Sequence, residues 1–359
     1  MNSLHTSDVH FVLAEASHDA AIRKLLRECP MEGQIRLSLR REPSYFRAAG
    51  IEGPEHHTII ALRGDDIVAM GSVSVRERFY NGKVMRIGYL GSLRLDRSCW
   101  GRFDILRRGY RFVRKLHPSL NVPFYLTSIA ADNQRAISIL ERGLPGMPTY
   151  RHVGDLATAL VRTSRNGSSS REPVCDQHEI FSHLEQSMHQ FQFAPHWTEK
   201  EMKRQFEFHC LRNDERQIIG CAALWDQRSF KQAVVSGYST SMAAFRPLYN
   251  LFARVTGRVM LPQIGDVISQ AFVSHLSSAV GRPELVEELF ELLSATAHSM
   301  GIELMAFGLD VRDPRLKWIK SRLRARVYHT RLYMVHWTDD PQAVDPPDER
   351  LMYPEVALL

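Results

Sequence analysis

Ser98-Cys-Trp-Gly-Arg102 is a short turn between an apolar strand pattern and a helical one, and Arg94, Arg97 and Arg102 flank it. A helix starting here leaves its first backbone N–H groups unpaired under a partial positive charge. Amides and guanidinium groups together suit a diphosphate. Arg107, Arg108, Arg111, Arg114 and Lys115 continue the positive run, opposed within it by Asp96 and Asp104 alone. These distal cations also fit a solvated helix face, favourably placed near a C-terminus.

Several elements must hold that turn in place. Residues 87–95 read as a strand, and 102–116 as a helix with the stripe Phe103, Leu106, Tyr110 and Val113. Upstream, the pattern predicts a strand at 9–16, a helix at 19–29 stopped by Pro30, and a second short helix at 34–41 before Pro43. Strands follow at 58–62 and 67–76. A hairpin closes at Asn81-Gly82, a dipeptide that tolerates positive φ, and leads into the strand 84–95. A strand at 122–130, a helix at 133–142 and closing strands over 150–161, broken at Gly154, complete this half.

Ser and Gly without apolar anchors predict a flexible linker at 163–175. A similar element order then recurs: helices at 178–191 and 199–207, strands at 217–225 and 232–238, and a helix at 243–255. A strand at 267–274, a helix at 284–300, a strand at 303–309, a helix after Pro314 and a strand at 327–337 follow. The proline-containing tail 339–359 is expected to be loosely ordered. The expected division is 1–162, linker 163–175, 176–338 and tail 339–359.

The chain has 359 residues, 44% of them apolar and 24% charged, with a net charge of +6. Its length suggests two compact units, and the composition is that of a globular protein. No run reaches the roughly 18 apolar residues of a membrane span, and the N-terminus lacks signal-peptide order, so a cytoplasmic location is expected. Five cysteines without C-x-x-C spacing, and sixteen histidines without H-E-x-x-H, indicate neither a disulfide framework nor a metal site. His56 and His57 are adjacent on a strand start and point to opposite faces.

Two segments give these residues a family likeness. Leu93-Arg-Leu-Asp-Arg-Ser-Cys-Trp-Gly-Arg102 and Ala131-Asp-Asn-Gln-Arg-Ala-Ile-Ser-Ile-Leu-Glu-Arg-Gly143 resemble the pyrophosphate loop and the following N-x-x-A helix of the GNAT superfamily of N-acetyltransferases. Gly101 and Arg102 fit the loop's central Gly-Arg, whereas Trp100, Arg97 and Phe103 replace an arginine, a proline and the second glycine. In the other segment Asn133, Ala136, Glu141 and Gly143 match. Leu140 takes the place of the tyrosine that in many members protonates the leaving thiolate, so another group or water must supply that proton.

The resemblance implies an α+β fold of two GNAT-like domains, each a mixed central sheet with helices on both faces. It implies transfer of an acetyl or related acyl group from acetyl-coenzyme A to the amine of a small molecule or peptide. Leu93, Arg94, Leu95, Arg97, Trp100, Gly101, Arg102 and Asn133 would hold the donor. Glu77 is the nearest carboxylate for a base, and Tyr89, Tyr125 and Tyr150 could act as acid or line the acceptor pocket. Cys99 has no paired His or Asp and is incidental.

In the second half Gly281-Arg282 precedes Pro283 and Glu284, which remove a donor and add negative charge. That half is read as a degenerate partner shaping the acceptor cleft. An aminoacyl-tRNA-dependent transferase of the same architecture stays open at a pI of about 9.1, as does a non-catalytic acyl-coenzyme A binder. Nucleic acid is expected only under the tRNA reading, and no membrane partner is expected.

Overall fold

Strands with one apolar face need partners on both edges, and here each half finds its last partner in the other half. The computed structural model describes residues 9–31, 33–164, 176–202, 206–338 and 344–359. The first half runs β1 (Val9–Leu13), α1 (Asp19–Glu28), β2 (Ile35–Arg40), α2 (Tyr45–Glu52), β3 (Glu55–Arg63), β4 (Asp66–Tyr80), β5 (Lys83–Leu95), α3 (Phe103–Leu120), β6 (Tyr125–Ala130), α4 (Gln134–Leu140) and β7 (Thr149–Arg162). The second runs α5 (Gln177–Met188), α6 (Glu199–Met202), β8 (Glu207–Arg212), β9 (Ile218–Trp225), β10 (Gln232–Tyr238), α7 (Thr240–Thr256), β11 (Gln270–Ser278), α8 (Glu284–Ser299), β12 (Leu304–Asp310), α9 (Arg315–Arg322) and β13 (Arg326–His336). Most of the expected linker, from 165 on, lies outside the described residues, as do 203–205 of the helix expected at 199–207.

One 11-stranded sheet has the order β1-β3-β4-β5-β6-β13-β7-β12-β11-β9-β8. Its centre is an exchange. β13 pairs with β6 of the first half, β7 pairs with β12 of the second, and β7 and β13 pair with each other over almost their full length. The α+β fold expected from the sequence is present; the continuity of its sheet and the exchange of strands were not foreseen.

Residues 34–41, expected as a helix, are instead the strand β2. Ile35, Leu37 and Leu39 alternate with Arg36, Ser38 and Arg40, and the segment pairs antiparallel with β10. Its apolar side meets Val235, Tyr238 and Leu261. The period is two, and the partner comes from the other half.

The tail residues 344–359 are ordered, contrary to expectation, while 339–343 lie outside the described residues. Met352, Tyr353, Glu355, Ala357 and Leu358 are buried. The buried Arg78 of β4 donates to the carbonyls of Phe193 and Pro354 at 3.0 and 2.7 Å. Val356 lies so close over β12 that a Cβ on Gly308 would stand 2.3 Å from its Cγ1. Gly308→Ala should therefore push the tail off the sheet and destabilise the protein by about 1–3 kcal/mol in urea denaturation.

Candidate active site

β5 and β6 are parallel, but their register covers only Gly88 with Tyr125 and Tyr89 with Leu126. Beyond those pairs the strands diverge into a fork, crossed by the Thr127 hydroxyl, which donates to the Leu90 carbonyl at 2.8 Å. The closed end is tight: a Cβ on Gly88 would sit 2.2 Å from Cδ1 of Tyr125. On the other side of β5 the register with β4 shifts between Met70 and Ser72, and Ser92 sits at φ 53. This bulge turns part of the β5 backbone away from its ladder, towards the fork.

The fork leads to the basic turn. Asp96 caps it by accepting from the Ser98 amide at 2.8 Å, Gly101 takes φ 84, and α3 begins without a side-chain cap. No heavy atom lies within 4 Å of where a Gly101 Cβ would be. Trp100 and Phe103 are 46% and 38% exposed, so neither plugs this corner. Two guanidinium groups lie over the Trp100 ring, Arg97 at 5.7 Å and Arg135 at 4.6 Å from its centre. Arg63 reaches in from β3, donating to Cys99 Sγ at 2.8 Å. Arg102 is engaged by Asp104 through two bonds of 2.8 Å, which hold it at the start of α3. Ionised Asp104 stays below the usual carboxylate range, chiefly through that bond.

The other expected donor residues divide. Leu93 is exposed and Leu95 half-buried, both on the bulged end of β5. Arg94 pairs opposite Met70, on the α1 side, beside Cys29, Tyr45 and Arg41, where burial brings it down to about 10. Asn133 caps α4, its Oδ1 accepting from the Ala136 amide at 3.1 Å. Cys99 is buried beside Val9, Ala61 and Ile105, a packing role.

The four residues offered for acid, base or acceptor pocket lie in different places. Glu77 is opposite Arg86 near the start of β5, ~20 Å along the strand from Ser92. It pairs there with His196 Nδ1 at 3.2 Å, on the outside. Tyr150 is half-buried on the α3 side, its hydroxyl bonded to that of Tyr110. Tyr125 is likewise on the α3 side, bonded to His117 Nδ1 at 2.8 Å. Tyr89 alone lies at the mouth of the fork; its hydroxyl is 2.8 Å from Ser128 Oγ, and burial raises it to about 12.

On the α1 and α2 face, Thr58, Ser72 and Gly91 form one row across β3, β4 and β5, ending next to the bulge. A polar chain follows that row. His56 Nε2 is 3.1 Å from Thr58 Oγ1, which is 2.9 Å from the Tyr45 hydroxyl, and Tyr45 also interacts with Ser92. Glu52 accepts from Arg41 at 3.2 Å and lies 3.8 Å from His56 Nδ1. His56 Nδ1, Ser72 Oγ and Arg41 Nη1 are buried without hydrogen-bond partners. Burial lowers the imidazole below 6.5, so His56 is neutral at neutral pH. A cleft of about 330 Å³ opens over it, lined also by Leu13, Phe46, Gly50, Pro54 and Thr58. Half-buried Lys231, brought down to about 7 chiefly by desolvation, senses Arg41 and Glu52 from the second half.

Sequence reasoning did not single out Arg135, His56 or Lys231 for this site. Arg135 sits two residues after Asn133 in the matched segment, a usable signal. His56 carried only the spacing Glu52-x-x-x-His56, which gains meaning once α2 turns into β3.

The second half repeats the bulge but closes it. His275 takes φ 54 where β11 shifts against β9. The His275 amide donates to Glu355 at 3.1 Å, and the Leu276 amide to the Tyr353 hydroxyl at 3.1 Å. The tail thus occupies the position that stays open beside Ser92. The His275 ring stacks on Trp197 at 4.0 Å.

The forked parallel pair, the bulged strand and the helix start at its open end belong to a GNAT-like fold, as expected from the sequence. Solved structures carry the same fold over nearly the whole chain. N-myristoyltransferase from Saccharomyces cerevisiae with bound myristoyl-CoA aligns over 96% of this chain and 88% of its own, with a TM-score of 0.61 at 8% identity. A GCN5-related N-acetyltransferase from Sphaerobacter thermophilus aligns over 94% and 99%, with a TM-score of 0.53 at 12% identity. One from Anabaena variabilis aligns over 91% and 72%, with a TM-score of 0.50 at 10% identity. No family model and no curated protein matches the sequence.

Proposed function

We propose that this protein is an acyl-coenzyme A-dependent N-acyltransferase that moves an acetyl or related acyl group to the amine of a small molecule or peptide. The observation that carries this reading is the open fork between β5 and β6, leading from the Ser92 bulge to a corner ringed by Arg63, Arg97, Arg102 and Arg135. The corner suits the diphosphate of coenzyme A, and the unpaired strand edges suit the amides of its pantetheine arm. The fold shared with N-myristoyltransferase and the N-acetyltransferases supports the same class of donor.

The thioester carbonyl then lies at the bulge, where backbone N–H groups of 92–95 receive the developing oxyanion. The amine enters through the cleft over Thr58 and attacks; as the C–N bond forms, neutral His56 takes its proton. The C–S bond breaks, and Tyr89, still protonated at neutral pH, supplies a proton to the departing thiolate. The imidazolium and the tyrosinate re-equilibrate through solvent.

Calorimetry with coenzyme A, acetyl-coenzyme A and a long-chain acyl-coenzyme A, followed by thiol release over an amine panel, tests this reading. Absence of donor binding would remove it. Arg135→Ala and Arg97→Ala should each weaken donor affinity by roughly tenfold, the value of one lost charge-assisted bond. Their effect should shrink as salt rises.

A further inference from the structure

We propose that α7 and the loop after it form a docking surface for an anionic lipid bilayer. The first half links β4 to β5 through the turn Asn81-Gly82, whereas the second half links β9 to β11 through residues 226–269, which hold β10 and α7. The chain contains no Asp or Glu between Asp226 and Asp266, but Arg228, Lys231, Arg246, Arg254 and Arg258 fall there.

Within α7 only Ala253 is fully buried. Phe245, Leu248, Leu251, Phe252 and Val255 are 51%, 66%, 63%, 51% and 81% exposed. At 100° per residue they fall in one arc of about 120°, on the side away from the protein. Met260, Ile264 and Val267 extend the patch at 42%, 65% and 53% exposure. Folding does not require this face, because Met242 and Tyr249 on the opposite side make the helix's contacts with Val235, Tyr238 and Leu261.

The rim of the patch decides between occupants. Arg254 and Arg258 flank the arc on α7 and after its end, Arg324 donates to the Thr256 carbonyl at 3.0 Å, and Arg326 lies 5.5 Å from the Tyr249 ring centre. Asp266 is the one acid at the far end of the loop, where it accepts from the Gln263 amide. A second copy of this chain would bring arginine rim against arginine rim. An apolar ridge bordered by cations, with Asp266 as its one acid in that loop, instead matches an interface of acyl chains below anionic headgroups. Such a helix lies in the interface plane and needs no membrane-spanning segment. The proposal does not depend on the acyltransferase reading.

Vesicle flotation tests it, comparing phosphatidylcholine with phosphatidylcholine containing roughly one third phosphatidylglycerol. The unaltered protein should float with the anionic vesicles, and added salt should reduce the bound fraction. The double substitution Leu248→Glu and Val255→Glu should lower binding about tenfold or more, with thermal unfolding unchanged because both side chains are solvated. The single substitution Leu248→Trp, which keeps the face apolar, should give a protein whose indole emission shifts to the blue on anionic vesicles alone. No flotation of the unaltered protein, equal flotation of the double variant, or unshifted emission from the Leu248→Trp variant would each overturn the proposal. So would a dimer in sedimentation that the double substitution converts to monomer.

Discussion

Replacing His56 by Gln should lower turnover by about 10²–10⁴-fold with little change in donor affinity, since it removes a proton acceptor while leaving the diphosphate corner intact. His56 lines the cleft, its Nδ1 has no hydrogen-bond partner and lies 3.8 Å from Glu52, and its Nε2 is fixed by Thr58. The sign of its pH dependence follows from its surroundings. Burial lowers the imidazole most; Glu52 opposes that shift, while His57 and Arg41 add to it. Only the neutral ring accepts a proton, so kcat should rise with pH through a limb below 6.5 and be flat through that group's contribution above it. Lys231, at about 7, is the competing titrating group that shares the influence of Arg41 and Glu52. If the variant keeps its rate and shows a limb near 7, Lys231 takes the proton and the assignment to His56 fails.

The parts of this site that could be read in the sequence are those whose physics is local. The strand into the basic turn, the turn itself and the helix α3 follow from period and charge within about twenty residues of one another. Tyr110 and Val113 of the expected stripe are buried as that pattern requires. Contacts across the chain were not legible. The fork exists because β6 takes β13 as its other neighbour, some two hundred residues away. β2 carries a strand's period of two in Ile35, Leu37 and Leu39, a local signal that the helix expected at 34–41 passes over, while the partner β10 lies in the second half; in the tail the prolines mask the apolar anchors Met352, Tyr353 and Leu358. Ser92 is a non-glycine residue held at positive φ by its register shift, and nothing in its own identity announces that. His56 needed the approach of α2 to acquire Glu52 and a cleft.

Asp313→Ala should cost about 3–5 kcal/mol of stability, the range for removing one member of a buried ion pair. Asp313 and Arg315 face each other at 2.6 Å with side chains 2% and 1% exposed. Arg315 also donates to the carbonyl and hydroxyl oxygens of Ser278, both at 3.1 Å, tying the start of α9 to the end of β11. Without the carboxylate, a guanidinium stays buried with two neutral oxygens as partners. The loss should spread beyond the second half. α9 leads directly into β13, and β13 is the neighbour on which β6, one arm of the fork, depends. β7 is in turn held by β12. Neither half can therefore keep its sheet once the other opens, and unfolding should be one transition in calorimetry, moved as a whole by the substitution. Donor binding should disappear in that same transition. Two separable transitions, with the substitution shifting only one and leaving the donor site intact, would show that the exchanged strands do not couple the halves.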